Sequence, residues 1–274
     1  MISAGFFDLD LTLIDSQEKL YPGLESILDR KHRNFTLVIL TGRGYPRYIE
    51  AIEKNSVLKN NVPYIALEHG ARIVTDKGET IQYVSLTNEN ISMIIEYIQT
   101  HSLNSVSFYP KDMNKPTVIW SGLPLEQLGL SSAYTTGVRY IEKLTELFQA
   151  FEYEKPCTIT VRAPKGTKPV LPKGISFYTR GQNINFVPKC IDKGKATTFI
   201  AEREKISLSQ AMGAGNDVND LPLLTLSELG VPIFVGNDIH GINNHVLPKN
   251  TIYVPDPAKL ANILKKIIPH EKIK

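Results

Sequence analysis

Three apolar runs in the first quarter of the chain each end in polar chemistry. Residues 2–7 lead through Phe6-Phe7 into Asp8-Leu9-Asp10-Leu11-Thr12, and Phe35 to Leu40 lead into Thr41-Gly42-Arg43-Gly44. Pro63 to Leu67 lead into Glu68-His69-Gly70-Ala71. Short, β-rich runs without polar alternation suit strands buried on both faces of a parallel sheet. Between them, Leu24, Ile27 and Leu28 fall at helical spacing within 22–32, and 46–54 reads as a second helix. Strands that alternate with helices predict a parallel sheet with helical crossovers.

That alternation stops at the Asp76-Lys77-Gly78-Glu79 turn. Residues 79–186 carry two helical patterns, at 89–100 and 140–151. Strand-like pieces lie at 106–109, 117–120, 158–162 and 175–178. The stretch reads as a smaller α+β unit, turn-rich between Pro164 and Gly181. The core pattern resumes around Asn185-Phe186-Val187-Pro188. A helix is expected from Asp192 to Lys205 and strands at 208–212, 231–235 and 251–254. A last helix starts at Asp256-Pro257, where an acidic cap precedes a first-turn proline. The prediction is an α/β protein: a core of residues 1–78 and 187–274, with an α+β insert at 79–186.

Composition narrows the class further. The 274 residues are 42% apolar and 22% charged, with a net charge of +3, near the averages of soluble globular proteins. That charge is too small to argue for nucleic acid. Two cysteines, Cys157 and Cys190, make neither a disulfide framework nor a zinc site. The start has no basic region before an apolar core, so a signal peptide is not expected. No stretch nears the roughly 20 apolar residues of a membrane span. A cytoplasmic protein, monomeric or homodimeric, is the expectation.

The polar clusters are chemically complementary. An ionised carboxylate is costly to bury without a partner, so a buried strand that runs into Asp8 and Asp10 needs explaining. A hard cation such as Mg²⁺ would neutralise the pair; the plain alternative is a capping Asp and a surface Asp. At the second strand end, a hydroxyl, close-approach glycines and a guanidinium suit an anion. An ordinary glycine turn would look the same. Further along stand Lys193, in Asp192-Lys193-Gly194-Lys195-Ala196, and the acidic stretch Gly215-Asn216-Asp217-Val218-Asn219-Asp220. In a parallel sheet, strand carboxyl ends converge on one edge. There a carboxylate can attack phosphorus, a second carboxyl can move the proton, and a hydroxyl and an ammonium can hold the phosphoryl group. From Lys155 to Lys189 there are seven basic residues and no acid, a face for an anion or merely solvated surface.

Taken together, these motifs resemble the haloacid dehalogenase superfamily, in its Cof-like branch of sugar-phosphate phosphatases with a C2-type cap after the third strand. Asp8 to Thr12 matches its DxDxT, Thr41-Gly42-Arg43 its TGR, and Lys193 to Ala196 its KGxA. Gly215 to Asp220 resembles its GDxxND, and Glu68 to Ala71 its ENGA turn. The resemblance implies a Rossmann-like core with an inserted specificity cap, and Mg²⁺-dependent hydrolysis of a small phosphorylated metabolite through an aspartyl-phosphate. It implies Asp8 as nucleophile, Asp10 as general acid/base and Thr41 and Lys193 on the phosphoryl group. Leu9, Gly42 and Arg43 would line the phosphate. Arg162, Lys165 and Arg180 of the basic run would meet the rest of the substrate. The metal would fall to Asp8, Asp10 and Asn216, with Asp220 in support. Two positions depart from the pattern: Leu11 replaces a usual glycine, and Asn216 replaces the acid that binds metal directly. Asp217 is the alternative ligand. A phosphomannomutase-like mutase or a catalytically weak binding protein is the competing reading.

Overall fold

The computed structural model describes residues 2–29, 35–101, 103–122, 137–164, 167, 174–236 and 247–268. β1 (Ala4–Asp8) is buried at every position. α1 (Glu25–Leu28) buries Ile27 and Leu28, but Asp29 is already extended. The helix expected over 22–32 is thus one turn among the described residues. β2 (Thr36–Leu40), α2 (Tyr45–Glu53), α3 (Ser56–Asn61) and β3 (Tyr64–Leu67) follow. Then come β4 (Arg72–Thr75) and β5 (Thr80–Tyr83), around the turn at 76–79.

The middle of the chain holds α4 (Asn88–Thr100), β6 (Ser105–Phe108), β7 (Thr117–Ser121) and β8 (Val138–Ile141). Next are α5 (Leu144–Glu154), β9 (Ile159–Arg162), β10 (Ile175–Arg180) and β11 (Asn183–Pro188). α6 (Lys193–Glu204), β12 (Ala211–Gly215), α7 (Leu221–Leu224), β13 (Val231–Val235), β14 (Ile252–Val254) and α8 (Leu260–Ile267) complete it.

Two sheets result. The first has the order β14-β13-β12-β1-β2-β3-β4-β5. It is parallel from β14 through β3, with β4 antiparallel to β3. β1 lies between β12 and β2, with Ala4 opposite both Ala211 and Thr36. One core cluster joins Phe6, Val38, Leu40, Ile73, Ile200, Leu223 and Phe234. The second sheet, β10-β11-β9-β6-β7-β8, is antiparallel except for β7 and β8. Its core cluster includes Ile94, Ile98, Phe108, Phe151, Val161 and Phe186. Tyr97 meets Phe186 edge-on in this cluster.

The chain divides into two compact units: Met1–Arg43, Tyr48–Ile81 and Asp192–Lys274 in one, Gly44–Arg47 and Gln82–Ile191 in the other. β11 pairs with β9 and β10, so Asn185 to Pro188 belong to the second sheet rather than opening the return to the core. The helix expected at 140–151 starts four residues later, because Val138 to Ile141 pair with β7 as a strand. Its β-branched and aromatic residues suit that pleat. Leu208–Gln210 form a 3₁₀ turn, so the strand expected at 208–212 begins at Ala211. No helix among the described residues is long and apolar enough to cross a membrane.

Candidate active site

β1 delivers Asp8 at its last position, still buried. Across the sheet, Asp192 caps α6 by accepting from the Lys195 amide at 2.8 Å. This cap starts the helix at Lys193, whose side chain is fully buried. Gly194 allows that start to approach α7: a Cβ there would fall 2.3 Å from the Pro222 carbonyl oxygen. Lys193 Nζ donates to Asp8 Oδ1 at 2.5 Å and to Asp220 Oδ1 at 2.5 Å. Asp220 is also fully buried. Its Oδ2 accepts from the Asn216 and Asp217 amides at 2.8 and 3.0 Å. A Cβ at Gly215 would lie 2.4 Å from the Asp220 Cβ, so glycine is what admits that carboxylate beneath the loop.

Two carboxylates thus share one ammonium. Burial, then the charge of Asp220, pushes Asp8 up to about 7 against the pull of Lys193. Burial alone would lower Lys193, but Asp220 and Asp8 together raise it, so it stays cationic. Beside them, burial and then the Lys193 charge push His69 down to about 3, leaving a neutral imidazole at neutral pH.

β2 delivers Thr41, which is buried. Its hydroxyl oxygen accepts from the Arg43 amide at 3.1 Å. The turn after β3 fastens this loop. Glu68 and His69 donate their amides to the Arg43 and Thr41 carbonyls, each at 3.0 Å. Glu68 and His69 have positive φ, 52° and 61°. Beneath the turn, Glu68 pairs with Arg72 at 3.0 Å with both side chains excluded from solvent.

Asp10 goes elsewhere. Its carboxylate accepts from Arg43 Nε at 3.0 Å and from the same guanidinium's terminal nitrogen at 2.6 Å. The other terminal nitrogen donates to Glu18 at 2.6 Å, and Lys54 donates to Glu18 at 2.5 Å. Burial pushes Glu18 up, but the Lys54 and Arg43 hydrogen bonds outweigh it and hold Glu18 below the usual range. Arg43, expected at the phosphate, is committed in this arrangement to two carboxylates.

Asp8, Asp10, Thr41, Lys193, Asn216 and Asp220 therefore gather at one edge of the first sheet, with Leu9 buried between the first two. Arg162 and Arg180 belong to the second unit. They flank Asn183 in one row across β9, β11 and β10, and Arg162 Nε donates to Gln182 at 3.1 Å. Lys165 lies outside the described residues. Glu18, Lys54 and Arg72 were not foreseen. Arg72 stands four residues after Glu68, a spacing that could have suggested the pair. Glu18 sits in a polar stretch where no spacing marks it.

The donors suit a hard cation that keeps several waters. Asp8 is anionic when ionised, and the Asn216 side chain makes no hydrogen bond among the described residues. Asp220 has both oxygens engaged, and Asp217 Oδ1 accepts from the Val218 amide at 2.6 Å as a helix cap. Among the described residues no three His, Cys, Asp or Glu are grouped to hold a metal. Any such cation would rely on amide, main-chain and water oxygens as well as Asp8.

The fold is a mainly parallel α/β core with paired carboxylates and a buried lysine at its strand ends. A family model for haloacid dehalogenase-like hydrolases matches residues 6–251, and the chain belongs to that family. The fold is shared with a Thermotoga maritima protein at TM-score 0.76 and 18% identity, covering 100% of both chains. A haloacid dehalogenase superfamily phosphatase from Bacteroides thetaiotaomicron matches at 0.72 and 17%, covering 97% of this chain and 95% of its own. A structure described as a subclass IIB sugar phosphatase matches at 0.75 and 16%, covering 97% of each. No curated protein matches the sequence.

Proposed function

We propose that the chain is a Mg²⁺-dependent phosphatase that hydrolyses a small phosphorylated metabolite, a sugar phosphate, through an aspartyl-phosphate. The observation that carries this reading is the buried Asp8–Lys193–Asp220 arrangement at the strand ends. This supports the reading because an ammonium held beside Asp8 could neutralise phosphoryl oxygens while Asp8 attacks phosphorus. In the first step the Asp8 oxygen bonds to phosphorus as the bond to the leaving oxygen breaks, and that oxygen takes a proton from Asp10. In the second, Asp10 takes a proton from water as the water oxygen attacks phosphorus, releasing phosphate and restoring Asp8. The Thr41 hydroxyl and Lys193 hold the phosphoryl group through both steps. Asp8, the Asp10 carbonyl and Asn216 would hold Mg²⁺, with Asp220 orienting the loop. The ion would supply positive charge to the phosphoryl oxygens.

The second unit is proposed as the cap that selects substrate, with Arg162 and Arg180 as contacts to its non-transferring part. Asn216 in place of an acid favours one rival, a catalytically weak protein. A panel of phosphorylated metabolites with Mg²⁺, assayed for released phosphate, tests the reading. Release from at least one sugar phosphate, lost in Asp8→Asn, is expected. An isomerised sugar phosphate without free phosphate would indicate a mutase, and no turnover of any compound would overturn the enzyme reading.

A further inference from the structure

We infer that Glu18 is a positioning residue that acts through Arg43 to fix the carboxyl of Asp10. The inference rests on the proposed phosphatase reading, in which Asp10 protonates the leaving oxygen. Arginine presents a rigid planar fork, so what holds one edge of the guanidinium decides where the other edge points. Nε and one terminal nitrogen grip Asp10, while the opposite terminal nitrogen is held by Glu18 at 2.6 Å. The side chains of Asp10, Arg43 and Glu18 are 20, 14 and 13% exposed, so the ladder is shielded; Lys54, its outer end, is 50% exposed.

Glu18 is itself fixed through its backbone. Its carbonyl accepts from Asn55 Nδ2 at 2.8 Å, and Asn55 Oδ1 accepts from the Leu20 amide at 3.2 Å. The residue has a positive φ of 62°, an uncommon conformation for a side-chain-bearing residue. The second oxygen of Glu18 takes Lys54 at 2.5 Å, which neutralises the charge beyond the one Arg43 offsets. Two anions and two cations alternate along the ladder. The loop after the first strand is thereby locked to α2 and its following turn, and the lock passes through the guanidinium to Asp10.

A residue that positions a proton donor has a specific signature. Expulsion of an alkoxide needs the proton, whereas an acidic phenol leaves without much help. The experiment compares kcat/KM for a sugar phosphate that the parent hydrolyses with kcat/KM for p-nitrophenyl phosphate. Glu18→Ala is expected to lower the sugar-phosphate value about tenfold or more, the scale of a misplaced catalytic group, and the aryl value about twofold at most. Glu18→Gln keeps an acceptor for Arg43 and should restore much of the loss. If the alanine variant fails to fold, Glu18→Asp serves as the test: its side chain is one methylene too short for the 2.6 Å contact with Arg43, and it should show the same loss confined to the sugar phosphate. In an Arg43→Ala background, Glu18→Ala should add nothing, because the route to Asp10 is already cut. Equal losses on both substrates, or full additivity with Arg43→Ala, would overturn the inference. Asp10→Asn separates the two levels. If it shows no leaving-group dependence, the role of Asp10 fails and the inference with it. If it shows that dependence and Glu18→Ala does not, only the inference fails.

Discussion

Asp8 and Asp10 stand two residues apart, yet two different cationic systems hold them. Asp8 meets a fully buried lysine whose other partner, Asp220, is equally buried. Asp10 meets an arginine that opens through Glu18 to a half-exposed Lys54. Two anions face one cation in the first system; in the second the charges balance. Breaking a buried pair strands a charge and costs several kcal/mol, whereas exposed pairs contribute little. The inner system should therefore dominate both stability and chemistry, and the outer one should act mainly on orientation.

The largest effect expected is on turnover. Asp8→Asn should abolish it, since a neutral amide is a poor nucleophile. The same variant should not destabilise the metal-free protein at neutral pH, because it removes one of two anions sharing Lys193. The sign follows from the direction of the shift. Asp8 in the fold is raised from 3.8 to about 7, so the folded state binds this proton more tightly than the unfolded chain. Its contribution is fully present below about pH 4 and is lost as pH rises to about 7. Unfolding midpoints measured with chelator between pH 4 and 8 should show that limb in the parent and a flatter one in Asp8→Asn. Near-parental activity in the variant, or an unchanged limb, breaks the contrast between the two systems.

Lys193→Met comes next. It leaves Asp8 and Asp220 buried without their shared cation, and a loss of about 3–5 kcal/mol is expected, read from urea denaturation. The outer counterpart, Lys54→Ala, should lose no more than about 1 kcal/mol. Similar losses in the two variants would mean that burial does not separate the systems.

A smaller effect concerns the cation. Asn216→Asp adds a negative charge to the proposed ligand set and should tighten Mg²⁺ binding, followed by calorimetry. Asn216→Ala should weaken it and Asp217→Ala should leave it little changed, because Asp217 caps the following turn through the Val218 amide. If Asp217→Ala weakens binding and Asn216→Ala does not, the ligands are exchanged.

Much of the inner system was legible in the sequence. Asp8, Thr41, Lys193 and Asp220 each sit at a strand end or helix start, and parallel-sheet topology brings such ends together. The outer system was not. Arg43 was expected to point at a phosphate, because a TGR strand end says nothing of where a long side chain turns. Glu18 and Lys54 are surface-type residues 36 positions apart, and only tertiary packing joins them. The same limit explains β8. Val138 to Ile141 blur into the helical pattern of α5 in sequence, and the strand exists because β7 offers it a parallel partner. β4 was missed because Arg72, a charged residue in a buried strand, hides its apolar run; its charge is accounted for by Glu68.

The smallest expected effect lies in the residue that follows the second carboxylate. Leu11 joins Asp10 to the buried Thr12 and has φ of 60°, where a Cβ crowds the backbone at a cost of about 1–2 kcal/mol. Its side chain is 37% exposed, so removal forfeits only part of its apolar contact. Leu11→Gly relieves the crowding, but the freed backbone loses roughly 0.5–1 kcal/mol through the unfolded state. The lost contact further reduces the gain. A net stabilisation of about 0.5 kcal/mol is expected, visible as a slightly higher urea midpoint with an unchanged slope. Both anchors of the turn remain in the variant, Asp8 on Lys193 and Asp10 on Arg43, so the leaving-group dependence of kcat/KM should stay parental. A fall confined to the sugar phosphate would mean that the leucine side chain helps aim Asp10. In that case the aim of Asp10 depends on the turn that follows it as well as on its grip by Arg43.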